Sequence, residues 1–168
     1  MSDYRTSRLR IHAIDVTEGE RIVARIAGPS DAWANDYPFE GDVGAAGGFL
    51  RATAESGEQR PFGYYQVTRV SDGLAVGGIG FKGQPKEGCV EIGYGLAPSA
   101  RGHGYASEAV AVLLAVAADN GLSRVIADTT RDNIASQRTL IRAGFSLVAT
   151  DDELHYFEAL LDTGVPPV

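Results

Sequence analysis

One stretch limits the folds open to this chain more than any other. A strand-like run from Cys89 to Leu96 passes Pro98, enters Arg101-Gly-His-Gly-Tyr-Ala106, and continues directly into a long apolar helix pattern. Ala106, Ala109, Val110, Leu113, Leu114 and Ala117 recur at helical spacing, and Asn120-Gly121 supplies the glycine that lets a helix stop in the left-handed region. A strand feeding a helix this way aims the first free amides and the positive end of the helix dipole at the turn between them. Glycine at 102 and 104 removes the Cβ atoms that would keep an anion from those amides, and small Ala106 permits close approach. The geometry suits a pyrophosphate. Two glycines can also make nothing more than a tight turn, and the adjoining Arg101 is what favours the anion. A dinucleotide-binding turn does not fit, because Gly102-His-Gly104-Tyr-Ala-Ser107 lacks the third glycine and follows an antiparallel meander rather than the first strand of a βαβ unit.

The meander is read from two β-branched and aromatic runs, Phe62 to Val70 and Leu74 to Lys82, joined by Ser71-Asp-Gly73, with Cys89 to Leu96 as its third strand. Upstream, Leu9 to Ile14 alternates as a half-buried strand does. Thr17-Glu-Gly-Glu20 reads as a capping box opening a helix through Ile22, Val23 and Ile26, which Pro29 ends. Trp33, Tyr37, Pro38 and Phe39 then lie in a loop expected to expose its rings, before a second helix from about Val43 to Ala54. Downstream, Arg124 to Thr129 is a short buried strand, Asn133 caps a helix reaching Ala143, and Gly144 stops it. Phe145 to Thr150 and Leu154 to Leu161 complete about seven strands, and residues 162–168 form a frayed tail. One domain over residues 7–161 is expected, an α/β (α+β) fold with a mixed, mostly antiparallel sheet flanked by helices.

The net charge of −7, with no lysine or arginine run, lacks the footprint that holds nucleic acid or an anionic membrane, and a cationic substrate fits better. Cys89 is the only cysteine, so neither an intramolecular disulfide nor a zinc-ligand set can be drawn. Its apolar neighbours suit a buried inert thiol rather than a nucleophile. His12, His103 and His155 have no metal-ligand spacing, so no metal is expected. The first residues show no leader pattern and no run of ~18 apolar residues occurs, which predicts a soluble cytoplasmic protein.

At Arg101-x-x-Gly104-x-Ala106 the chain resembles the GNAT acetyltransferase superfamily, whose pyrophosphate motif is Q/R-x-x-G-x-G/A. Asn133-Ile-Ala-Ser-Gln-Arg-Thr-Leu-Ile-Arg-Ala-Gly-Phe145 is similar to a second motif of that family, in the form typical of its ribosomal-protein alanine N-acetyltransferase branch, and Glu91-Ile-Gly-Tyr94 resembles the strand before the cofactor turn. The likeness runs from about residue 7 to 161. It implies a GNAT fold opened between the fourth and fifth strands for acetyl-CoA, and direct transfer to an amine acceptor within a ternary complex. It further implies that Leu96 and its backbone hold the pantetheine arm, that Arg101, Gly102, His103, Gly104, Tyr105 and Ala106 hold the pyrophosphate, and that Asn133 faces the thioester end while also capping its helix. A homodimer is compatible with the habit of that branch.

Acetyl transfer to an amine needs a neutral nucleophile, a polarised carbonyl and a proton for the departing thiolate. Glu91 is the expected base, since it shares a strand face with Gly93 and Gly95, although a plain solvated strand residue is the alternative. Many superfamily members carry a late-helix tyrosine as acid, and here that place holds Leu140. Ser136, one turn after Asn133, and Tyr156 on the last strand are the substitutes; a purely local hydrogen bond would equally account for Ser136. Trp33, Tyr37 and Phe39 are ordinary anchors taken singly, and together they are expected to shape the acceptor pocket. Asp31, Asp36, Glu40 and Asp42 in the same stretch either draw in a cationic acceptor or are merely solvated. A non-catalytic acyl-CoA sensor and an aminoglycoside-modifying acetyltransferase are the competing functions.

Overall fold

A computed structural model describes residues 3–162, so all of the tail beyond Asp162 lies outside the described residues. Its strands are β1 (Asp3–Arg5), β2 (Leu9–Ala13), β3 (Tyr64–Arg69), β4 (Ala75–Phe81), β5 (Cys89–Leu96), β6 (Arg124–Thr130), β7 (Ser146–Thr150) and β8 (Leu154–Leu160). The helices are α1 (Val16–Ala24), α2 (Glu40–Ser56), α3 (Tyr105–Asp119) and α4 (Ile134–Arg142), with a short 3-10 turn at Pro98–Ala100. The eight strands form one sheet in the order β1-β2-β3-β4-β5-β6-β8-β7, antiparallel at every junction except β5–β6. The strand beyond the expected seven is β1, three residues pairing Tyr4 with Ile11, too short to show an alternation of its own.

Strand alternation divides the sheet into two faces. Leu9, Ile11, Val67, Ile79 and Ile92 point to one, where they meet Val110 and Leu113 of α3 and Leu140 of α4 in the main core. Tyr64 points to the other, where Ile14, Ile22 of α1 and Ala46 of α2 form a smaller cluster. Burying a Leu or Ile fully contributes ~1.5–3 kcal/mol, so the larger cluster holds the fold. The smaller leaves α1 and α2 as a lightly anchored layer over the glycine-rich β4 and β5. No helix among the described residues is long and apolar enough to cross a membrane.

Three local expectations are corrected. The capping box of α1 is Asp15 with Glu18, each side chain accepting from the other's backbone amide at 2.8 Å, rather than Thr17 with Glu20. Asp15 already offers a cap-forming carboxylate at the end of β2, so the helix starts earlier. It also ends earlier, at Arg25 in the left-handed region with φ 56°, well before Pro29. The rings of the following loop are not exposed: Tyr37 is buried and Trp33 packs edge-on against it with centroids 5.4 Å apart. That loop is tied to the sheet through Ala34 and Ala75, which is why its aromatics turn inward.

Candidate active site

Parallel β5 and β6 pair only at Cys89–Arg124, Val90–Val125 and Glu91–Ile126, then separate. Beyond Glu91 the facing backbone edge of β5 is left without a neighbouring strand, and buried backbone groups require partners. A cleft of about 1160 Å³ opens there. Gly78, Gly80, Gly93 and Gly95 line part of it, α2 contributes Gly41, Gly44, Ala45 and Gly48, and α4 contributes Ser136, Arg138 and Arg142.

At one end lies the turn into α3. Gly102 and Gly104 have φ of 82° and 80°, conformations that L side chains rarely adopt, and Gly104 is the N-cap. Glu108 donates to the Gly104 carbonyl at 3.2 Å, so the amides of Tyr105, Ala106 and Ser107 precede the first intrahelical bond and are open to an anion. Arg101 donates from Nε to the Leu96 carbonyl at 3.0 Å, with its guanidinium 5.7 Å from the Phe39 ring centre. Arg101, Gly102, Gly104, Tyr105, Ala106 and Leu96 all line the cleft. His103 does not; its ring stacks on Tyr105, and its carbonyl accepts from Arg8 Nη1 at 2.8 Å. Arg8 escaped the sequence reading. Its guanidinium also engages Glu108 of α3 and lies over the Tyr105 ring, so one side chain ties the β1–β2 connection to the turn. No local pattern marks it.

At the opposite side of the splay, Asn133 caps α4 by accepting from the Ser136 amide at 3.1 Å and also lines the cleft. The Ser136 hydroxyl and the Tyr94 phenol are 2.7 Å apart, and the phenol is 3.0 Å from the Ser136 carbonyl. Burial pushes the Tyr94 phenol up to about 12, so it stays protonated. Tyr94 stands within the Glu91-to-Tyr94 motif, yet a role for it needs the contact with α4. Thr129 of β6 is 95% buried and lines the cleft, and its hydroxyl has no hydrogen-bond partner among the described residues. An orphaned buried hydroxyl costs ~1–3 kcal/mol, which a ligand in the splay would recover.

Glu91 lies on the other sheet face. Lys82 donates to it at 3.1 Å, and it borders a small depression of about 150 Å³ with Ile126, Asp128 and Tyr156. Asp128 borders both that depression and the cleft. Tyr156 donates to Asp151 at 2.6 Å, a bond that raises its pKa, and lines the depression rather than the cleft. Of the three loop aromatics, only Phe39 lines the cleft: a Cβ on Gly95 would come within 2.5 Å of its Cζ. Trp33 and Tyr37 are packing residues, the Tyr37 hydroxyl accepting from Gln66 at 3.2 Å.

The loop carboxylates divide just as clearly. Asp31 is taken by Arg21 at 2.6 Å, Asp36 by the amide and hydroxyl of Ser99, and Glu40 by Arg25. Asp42, only 2% exposed, accepts from the Phe39 amide at 3.1 Å and from the Tyr64 hydroxyl at 3.0 Å. Burial raises its pKa to about 6. It lines the cleft.

The model of the Acetyltransferase (GNAT) domain family matches residues 8–146. The chain belongs to the GNAT family. As a GNAT chain it is an N-acetyltransferase, and it is 30% identical over 152 residues to the uncharacterized N-acetyltransferase YjdG of Bacillus subtilis (strain 168), covering 84% of this chain and 88% of that one. The GNAT fold is shared with the ribosomal-protein-S5-alanine acetyltransferase of Vibrio fischeri, at a TM-score of 0.72 and 15% identity, with 99% of this chain and 100% of that chain covered. It is shared too with RimL, a ribosomal L7/L12 α-N-protein acetyltransferase solved with coenzyme A, at 0.70 and 18%, covering 96% and 99%.

Proposed function

We propose that this chain moves an acetyl group from acetyl-CoA to a primary amine by direct attack within a ternary complex. The observation that carries the reading is one cleft joining three features: the splay of β5 from β6, the glycine turn at the α3 N-terminus, and the Tyr94–Ser136 pair. The residues present suit acetyl-CoA. The amides of residues 105–107 with Arg101 would hold its pyrophosphate, the free edge of β5 near Leu96 its pantetheine arm, and Arg138 and Arg142 lie along the same cleft to meet further phosphate. Bound there, acetyl-CoA supplies the activated acetyl group.

The chain's own groups then divide the proton work. Glu91, on the face shared with α2, is the base we assign, taking the amine proton through water. Ser136 is the donor assigned to the departing thiolate, with Tyr94 holding its hydroxyl in place; Tyr156, engaged by Asp151, is given no part. The β5 amides left unpaired beyond Glu91 are the donors for the carbonyl oxygen.

The test is release of free coenzyme A from acetyl-CoA in the presence of N-terminal peptides, alkyl amines, polyamines and aminoglycosides, with acetyl-CoA binding followed by calorimetry. Amine-dependent release supports the reading. Glu91→Gln should lower kcat and alter its pH profile while leaving acetyl-CoA affinity within about twofold, and an unchanged rate removes Glu91 from the mechanism. Binding without transfer to any amine would favour an acyl-CoA sensor, and absence of binding would overturn the cofactor assignment.

A further inference from the structure

We propose that Asp42, held by Tyr64, is the seat for a second positive charge on the acceptor, making the substrate class a short diamine or a similar aminoalkyl cation. This rests on the transferase reading above.

Its first support is an uncompensated charge. Buried carboxylates are normally paired with cations, yet among the described residues no lysine or arginine reaches Asp42 within ion-pair distance. Arg25 acts on it only from afar, with its guanidinium already engaged by Glu40 and by the Pro38 carbonyl. The other three acidic groups of the segment are satisfied by the chain itself. Of these four acidic groups, Asp42 is the one left with spare lone pairs on the cleft wall, among the described residues.

Location is the second. The Tyr64 hydroxyl that donates to Asp42 lies directly over Gly78, where a Cβ would come within 1.7 Å of it, and Gly78 pairs across the sheet with Gly95, the glycine covered by Phe39. The carboxylate therefore stands on the β4 side of Phe39, with the open edge of β5 on the far side of that strand. Phe39, Phe49 and Phe62 line the same cleft and suit an alkyl stem; Arg101, Arg138 and Arg142 line it toward the coenzyme, Asp128 lines it on β6, and Lys82 lines it over Gly93 with its ammonium engaged by Glu91. The three arginines disfavour a cation beside them, and the unpaired Asp42 carboxylate favours one beside it.

Third is the logic of protonation. A desolvated carboxylate favours the ammonium form of any amine beside it, and an ammonium cannot attack a thioester. The nitrogen seated at Asp42 is thus the one that stays charged, leaving the second nitrogen to be acetylated near β5.

The test compares 1,5-diaminopentane with n-pentylamine, by coenzyme A release and by calorimetric binding to the coenzyme A-bound protein. Wild type should favour the diamine by about 10- to 100-fold in KM or Kd, the value of one charge-assisted hydrogen bond in a dry site. Asp42→Asn should abolish that preference through the diamine's KM with little change in kcat. Equal affinities in the wild type, a preference that survives in Asp42→Asn, or a loss of pentylamine turnover as large as that of the diamine would each overturn the proposal. The wild-type comparison does not depend on the variant folding. Failure of coenzyme A itself to bind would instead overturn the transferase reading, which keeps the two failures apart.

Discussion

Asp42→Asn should make this protein more stable at alkaline pH and no more stable at acidic pH. Asp42 has its pKa raised from an ordinary 3.8 to about 6 by burial. A raised carboxyl pKa means that the native state holds its proton more tightly than the unfolded chain does, so stability falls as pH rises between those two values. Below about pH 4 the penalty is nearly absent, and above about pH 6 it is fully present. Roughly two units correspond to about 3 kcal/mol. Asparagine carries no charge and can still accept from Tyr64, but its amide nitrogen cannot accept from the Phe39 amide, which costs about 1 kcal/mol. The net gain at pH 8 is about 2 kcal/mol, or about 4–8 °C in Tm for a chain of this size. Thermal unfolding of wild type and variant at pH 4 and pH 8 measures it. Equal melting temperatures at pH 8, or the same gain at both pH values, would show that Asp42 is not a strained buried carboxylate.

Other perturbations follow from the same geometry. Gly104→Ala puts a side chain at φ 80°, which should cost ~1–2 kcal/mol of stability and weaken coenzyme A binding about tenfold or more by moving the α3 amides; calorimetry reads the second effect. His12 lies between Glu18 at 2.9 Å and Asp3 at 2.6 Å, contacts that raise its pKa. The stability it contributes is full below the ordinary value near 6.5 and is lost as pH rises through the raised one, so His12→Gln should destabilise more at pH 5.5 than at pH 9 in denaturant melts. Gly44→Ala, where an added Cβ meets nothing within 4 Å, should stabilise α2 by ~0.5–1 kcal/mol, seen as a higher urea midpoint at unchanged slope.

The cofactor half of the site is legible in the sequence because its chemistry is local. Arg101, Gly102, Gly104 and Ala106 act within one turn, and the strand before them and the helix after them are strong periodic signals. The acceptor half depends on meetings between distant segments. Asp42 reads as one more loop carboxylate until Tyr64, 22 residues on, is seen to hold it. Arg8 lies near its turn only because β1 and β2 bring it there. Tyr94 stands within the Glu91-to-Tyr94 motif, but its partner is 42 residues away on α4. A residue that does its work across the sheet leaves only its identity in the sequence, with no spacing to mark it. The same limit explains Trp33 and Tyr37, whose aromatic character announces a contact without saying whether a ligand or the protein itself provides it. Asp42 is fixed in part by the Phe39 amide just before α2, but a phenylalanine N-cap has no side-chain acceptor and so leaves no capping signal in the sequence.

The glycines of α2 carry a consequence for how such a chain can change over time. Gly44 and Gly48 face the cleft from the interior of α2, where an added Cβ meets no close neighbour, and each weakens the helix by ~1 kcal/mol relative to alanine. Mutation toward a sturdier protein and mutation toward a narrower acceptor chamber are therefore the same mutation at these positions. A lineage that needs a roomy chamber must keep a weak helix there, and one that turns to a slimmer acceptor gains stability as it does so, with the turn at Arg101 to Ala106 untouched.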